Sequence, residues 1–124
     1  MVRYSPHFVI SISHTRGMVG PMVVVVFRIK HRADLDVAAY EAMAERMVEI
    51  VTAMPGFAGM DYAEVEGGEI VIARFESHEA LAAWREHPEH LEAQQAGRER
   101  FFASYSIEVC DVARAYDFSA EDPA

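Results

Sequence analysis

Asparagine is absent from all 124 residues, and cysteine and tryptophan occur once each. A single cysteine, Cys110, closes no disulfide within the chain, so nothing favours an oxidising compartment. It falls in an expected strand with no histidine near it in sequence, where a buried small hydrophobe is expected rather than a nucleophile. No apolar run approaches the roughly 20 residues that cross a bilayer. Phe8-Val9-Ile10-Ser11-Ile12 is too short for the apolar core of a secretory signal. The expected location is the cytoplasm. Clustered Lys and Arg are also missing. With 11 basic against 20 acidic residues and a formal net charge of −9, the chain repels phosphate backbones and anionic lipid. That argues against nucleic acid and membrane as partners and leaves small neutral or aromatic ligands open. No glycine-rich loop follows a strand to open a helix, so nucleotide and flavin have no cradle.

What is present is a globular composition, 52% hydrophobic and 25% charged, at a length that fits one domain. Residues 1–21 read as an N-terminal extension bracketed by Ser5-Pro6 and Gly20-Pro21, expected to pack as an added edge strand or as an arm on a neighbouring subunit. Met22 to Ile29 is the first core strand. It is apolar on both faces, so it needs cover on both sides. A domain of this size supplies helix for one face, and a second copy of the chain is the simplest cover for the other. Asp34 or Asp36 caps the next helix, which places Val37, Tyr40, Ala44, Met47, Val51 and Met54 on one stripe with Met43 and Ile50 beside them. Pro55-Gly56 ends it. Phe57 to Val65 and Ile70 to Phe75 are strands around Glu66-Gly67-Gly68-Glu69, whose paired glycines suit a tight hairpin. Ser77 caps a second helix that must kink or restart at Pro88. Ser104 to Tyr116 is a last strand, and residues 119–124 form an acidic tail. The order β-α-β-β-α-β gives an α+β, ferredoxin-like fold: a four-stranded antiparallel sheet over residues 22–118 with helices on one face.

The second half of the second helix is unusual. His90, Gln94, Gly97 and Phe101 share a stripe, with Leu91, Arg98 and Phe102 adjacent. Polar groups beside a buried surface carry a desolvation cost unless each finds a partner. Either Arg98 pairs with a carboxylate and Gln94 bonds the backbone, fixing the helix or a dimer, or these groups ring a cavity between helix and sheet. Met43 and Met47 fill the core or line that cavity as adaptable walls. Trp84 offers a π-face and an indole N–H donor. His90 titrates near neutrality and is the natural proton acceptor. Arg98 could stabilise negative charge developing on oxygen. His87 and His90 flank Pro88 beside Glu89, but the spacing is not an i, i+4 pair and no third ligand is evident, so no metal is expected.

The run Trp84-Arg85, His90, Ala93-Gln94, Gly97-Arg98, Phe102 and Tyr105, closing with Val109, Val112-Ala113-Arg114 and Tyr116, resembles the antibiotic biosynthesis monooxygenase domain family. The strand, helix and glycine-turned hairpin from Met22 to Phe75 agree with it. The resemblance covers about residues 22 to 118 and implies a dimeric α+β barrel. It implies one of two chemistries: oxidation of phenolic compounds to quinones with O2 and no metal or flavin, or haem degradation. In the first kind a Trp on the second helix pairs with an Asn one turn earlier, and this chain has Trp84 but Ala80. The second kind uses a first-strand Asn and a His about three turns after the Trp. Here the strand has no Asn and those positions are Ala93 and Gln94. The reading that follows is a homodimeric, cofactor-independent monooxygenase acting on a small aromatic compound. His90, Trp84 and Arg98 are its catalytic candidates, and Trp84, Gln94, Met43, Met47, Phe101 and Tyr105 are its substrate contacts. A non-catalytic dimer binding a small apolar molecule, and a haem-binding protein, are the alternatives.

Overall fold

The structure, a computed structural model, describes residues 9–13 and 22–121. Most of the extension and the last residues of the acidic tail lie outside that range. The elements are β1 (Val9–Ser13), β2 (Val23–His31), α1 (Val37–Thr52), β3 (Phe57–Val65), β4 (Gly68–Phe75), α2 (His78–Arg85), α3 (Pro88–Ala96), a π-helical turn (Gly97–Phe101) and β5 (Phe102–Asp111).

Local chemistry sets the boundaries. The Asp36 carboxylate accepts from the Ala39 amide at 3.1 Å and caps α1, and the Ser77 hydroxyl accepts from the Ala80 amide at 3.0 Å and caps α2. The second helix restarts at Pro88, whose missing N–H is harmless at a first helical position. His87 caps that restart, its Nδ1 accepting from the Glu89 amide at 3.1 Å. Glu66 and Gly67 turn the β3–β4 hairpin, with Val65 opposite Gly68 and Gly67 at φ 76°.

All strand pairs are antiparallel, in the order β1-β3-β4-β2-β5. The last four make the ferredoxin-like sheet, and β1 adds an edge strand beyond β3 with Ile10 opposite Tyr62. Alternation sends Val23, Val25, Phe27 and Ile29 of β2 towards the helices, together with Glu69, Val71, Ala73 and Phe75 of β4. Val23, Phe57 and Phe75 pack there against Val51 and Leu81 as the core. The opposite face carries Val24, Val26, Ile70 and Ile72, all half-buried, and the ion pairs Arg28–Glu108 and Arg74–Asp61. A strand apolar on both faces is thus covered by helix on one of them.

Two local irregularities matter for the interior. The register of β2 against β5 slips at Lys30/His31, so His31 lies opposite Phe102. The slip turns the Phe102 ring inward, edge-on to Phe27 and Tyr40 at centroid distances of 6.0 and 6.1 Å. The π-helical turn then buries Phe101 beside Tyr40. Cys110 departs from expectation: it is exposed rather than buried, because β5 is an edge strand and its residues from Ala103 onward reach solvent.

Candidate functional site

Trp84, His90 and Gln94 come together at the junction of α2 and α3. The imidazole stacks on the indole, with ring centroids 4.1 Å apart and 24° between planes. The Gln94 side-chain amide donates to His90 Nδ1 at 3.1 Å and also reaches the Arg85 carbonyl at 3.4 Å. Nδ1 is therefore an acceptor, which leaves the ring proton on Nε2. Burial pushes the His90 pKa down from 6.5 to about 4, against the pull of the Arg85 and Trp84 carbonyls. The ring is neutral at physiological pH. It serves as a fixed hydrogen-bonding wall, and a base held that low retains little driving force for removing a proton near neutrality.

Trp84, like Val25, Met60 and Ala73 on the helix-facing side of the sheet, packs against the core of Val23, Val51, Phe57, Phe75 and Leu81. Val25, Met60 and Ala73, with Phe27 and Val71, form an apolar floor that the helices leave half-buried. At its far end stands a second polar group. Tyr62, two residues along β3 from Met60, donates to Glu69 at 2.5 Å, and Tyr40 of α1 donates to the other oxygen of the same carboxylate. Glu69 is 2% exposed. His31 Nε2 lies 3.7 Å from Glu69 Oε2, and its ring meets Tyr40 edge-on at 4.8 Å.

The remaining expected residues are placed elsewhere. Met43, Met47 and Phe101 line an open groove of about 260 Å³ between α1 and α3. Arg46 bridges that groove with a two-pronged bond to Glu89 at 2.8 and 2.9 Å, which raises the pKa of Arg46 and lowers that of Glu89. Tyr105 stands on β5, edge-on to Phe27 at 5.6 Å and 41% exposed. Arg98 is exposed on the π-helical turn, where the Arg32 guanidinium donates to its carbonyl at 2.7 Å. Among the described residues, no three His, Cys, Asp or Glu side chains are grouped to hold a metal.

The family model for antibiotic biosynthesis monooxygenase matches residues 22–96. The uncharacterised protein YqjZ of Bacillus subtilis (strain 168) is 34% identical over 96 residues, spanning 76% of this chain and 82% of YqjZ. The chain belongs to the antibiotic biosynthesis monooxygenase family. Within that fold, SnoaB from Streptomyces nogalater, a cofactor-independent oxygenase, superposes with a TM-score of 0.64 at 19% identity, covering 78% of this chain and 97% of SnoaB. A dimeric ferredoxin-like protein of unknown function from Thermobifida fusca gives 0.64 at 13% identity, over 80% and 100% of the two chains.

For a member of this monooxygenase family, the polar group around Glu69 is the feature that sequence reasoning passes over. Glu69 follows Gly67-Gly68 and reads as part of a turn. The strand in fact begins at Gly68 and aims Glu69 at the helices. Its buried neighbour on β3 is Glu64, directly opposite in register. Two carboxylates alternating correctly with apolar positions are the signal that could have revealed it.

Proposed function

We propose that this protein is a cofactor-independent monooxygenase that oxidises a small phenol- or quinol-type compound with O2. The observation that carries the reading is the half-buried apolar row on the helix-facing side of the sheet, with Tyr62 on the same face and Trp84 packed against the same core. Its family membership and the oxygenase SnoaB, which shares the fold, support the reaction type. An aromatic ring lies on Val25, Val71 and Ala73 with its edge against the Trp84 indole. Neutral His90, fixed by Gln94, orients a ring oxygen through its Nε2 proton. Removal of the substrate proton gives an electron-rich anion, which passes an electron to O2 and then combines with the reduced oxygen.

The working unit is a homodimer in the cytoplasm. Tyr105, Ile107 and Val109 are 41%, 53% and 48% exposed in one chain, a contiguous apolar strip along β5 of the kind that a second copy covers. The half-buried valines and isoleucines on the opposite face of the sheet offer a second apolar surface to it.

Oxygen uptake by chelator-washed, flavin-free protein tests the proposal, using a panel of anthrones and quinols. The expected result is enzyme-dependent uptake that falls in Trp84→Ala and His90→Ala. Uptake at the uncatalysed rate across the panel would remove the oxygenase reading, and tight binding without uptake would leave a binding protein in its place.

A further inference from the structure

Buried polar groups in native proteins nearly always have partners, and each exception asks for a reason. His31 is such an exception. Its side chain is 7% exposed, and neither ring nitrogen has a hydrogen-bond partner within the described structure. Glu69 Oε2 lies 3.7 Å from its Nε2. That carboxylate already accepts from two phenol hydroxyls, Tyr40 and Tyr62. Tyr40 and Glu69 are deep in the protein, whereas Tyr62 is half-buried and shares its sheet face with the apolar floor. The three groups therefore line up from an accessible end to a sealed one. Tyr62 meets the floor, Glu69 lies behind it, and His31 waits behind Glu69 with an empty nitrogen.

We propose that Tyr62, Glu69 and His31 form a proton relay that deprotonates a phenolic ligand lying on the floor. This rests on the proposed binding of a phenol- or quinol-type compound there. The ligand hydroxyl gives its proton to the Tyr62 oxygen as the Tyr62 proton passes to Glu69. Glu69 then hands a proton to His31 Nε2. One O–H bond of the ligand breaks and one N–H bond of His31 forms. The ligand becomes a phenolate, His31 becomes an imidazolium facing the restored Glu69 carboxylate, and no electron changes hands. Tyr40 holds the carboxylate in place through the exchange. The first link is already in place, Tyr62 donating to Glu69, and the second requires the 3.7 Å between Glu69 Oε2 and His31 Nε2 to close to hydrogen-bond distance. The relay also accounts for the division of labour in the interior. Stacked, neutral His90 orients the ligand at one end, and the acceptor lies at the other.

The test is anaerobic, so it is independent of any reaction with O2. 1-Naphthol absorbs differently as phenol and as phenolate, and at neutral pH the free compound is protonated. Bound to wild type, it should show the phenolate spectrum. Bound to Glu69→Gln, which keeps the shape but has one acceptor oxygen and no charge, it should show a phenolate-to-phenol ratio lower by at least about tenfold, equivalent to one pKa unit. Tyr62→Phe removes the outer hydroxyl alone and should give the same loss, and it replaces Glu69→Gln if that variant does not fold. A wild-type phenolate ratio in the folded variants would overturn the relay while leaving the floor as a binding site. So would naphthol bound to wild type as the neutral phenol. Failure of wild type to bind naphthol at all would overturn the relay together with the reading of the floor on which it rests.

Discussion

Tyr40→Phe isolates one hydroxyl in the interior. The Tyr40 ring keeps its edge contacts with His31 at 4.8 Å and Phe101 at 5.5 Å, and the bond to Glu69 is lost. A hydrogen bond to a charged group contributes about 1.5–3 kcal/mol. Glu69, at 2% exposure, has no water to take the place of the hydroxyl, and Tyr62 on its other oxygen offsets part of the loss. A cost of about 2 kcal/mol follows. Unfolding entropy of roughly 2.1 cal/mol/K per residue over 124 residues converts this into a fall in Tm of about 8 °C. Calorimetry at fixed protein concentration reads it, since an associating protein melts at a concentration-dependent temperature. Tyr62→Phe should cost about half as much, because a half-buried position admits water. The double variant should cost more than the two together, as the carboxylate then has neither donor. A Tyr40→Phe protein melting within about 1 °C of wild type would refute the reasoning, because Glu69 could not then be a desolvated acceptor.

Two further outcomes follow from other parts of the molecule. The folded His90 ring stays neutral down to about pH 4 while the unfolded ring takes up a proton below 6.5, so stability present above 6.5 is lost as the pH falls from 6.5 towards 4. The loss should be about 1–2 kcal/mol, less than the full shift implies because the ring still meets solvent, and His90→Gln should flatten Tm against pH in that window. A Cβ on Gly68 would lie 1.8 Å from the Ile29 carbonyl oxygen, whereas one on Gly67 meets nothing within 4 Å. Gly68→Ala should therefore cost about 3 kcal/mol or more by denaturant titration, through forced displacement of two central strands. Gly67→Ala should cost less, limited to backbone strain at φ 76°.

The fold is legible in the sequence because its signals are local. Asp36 and Ser77 each cap from their own first turn, Pro88 restarts the helix where a missing N–H does no harm, and Glu66-Gly67 fills the two-residue turn. Half of the site is legible for the same reason: His90 and Gln94 are one helical turn apart, and their hydrogen bond follows from that spacing. The other half is assembled by pairing between strands. Glu69 and Tyr40 are 29 positions apart, and His31 enters through a register slip that no residue pattern announces. Arg98 stands on the π-helical turn that begins at Gly97 and is exposed to solvent. The exposure of Tyr105 and Cys110 has another origin, the position of β5 at the edge of the sheet, which is set by the whole topology.

Trp84 is the only tryptophan of the chain and forms one wall of the proposed site, so its fluorescence reports directly on that site. Anaerobic titration with a quinol should quench the emission to saturation at one ligand per chain. The same titration of Ala73→Trp/Trp84→Phe, which fills the floor and moves the reporter onto it, should lose saturable binding. Linear quenching of wild type without saturation, equal to that of free tryptophan, would contradict the claim that an aromatic molecule lies against Trp84.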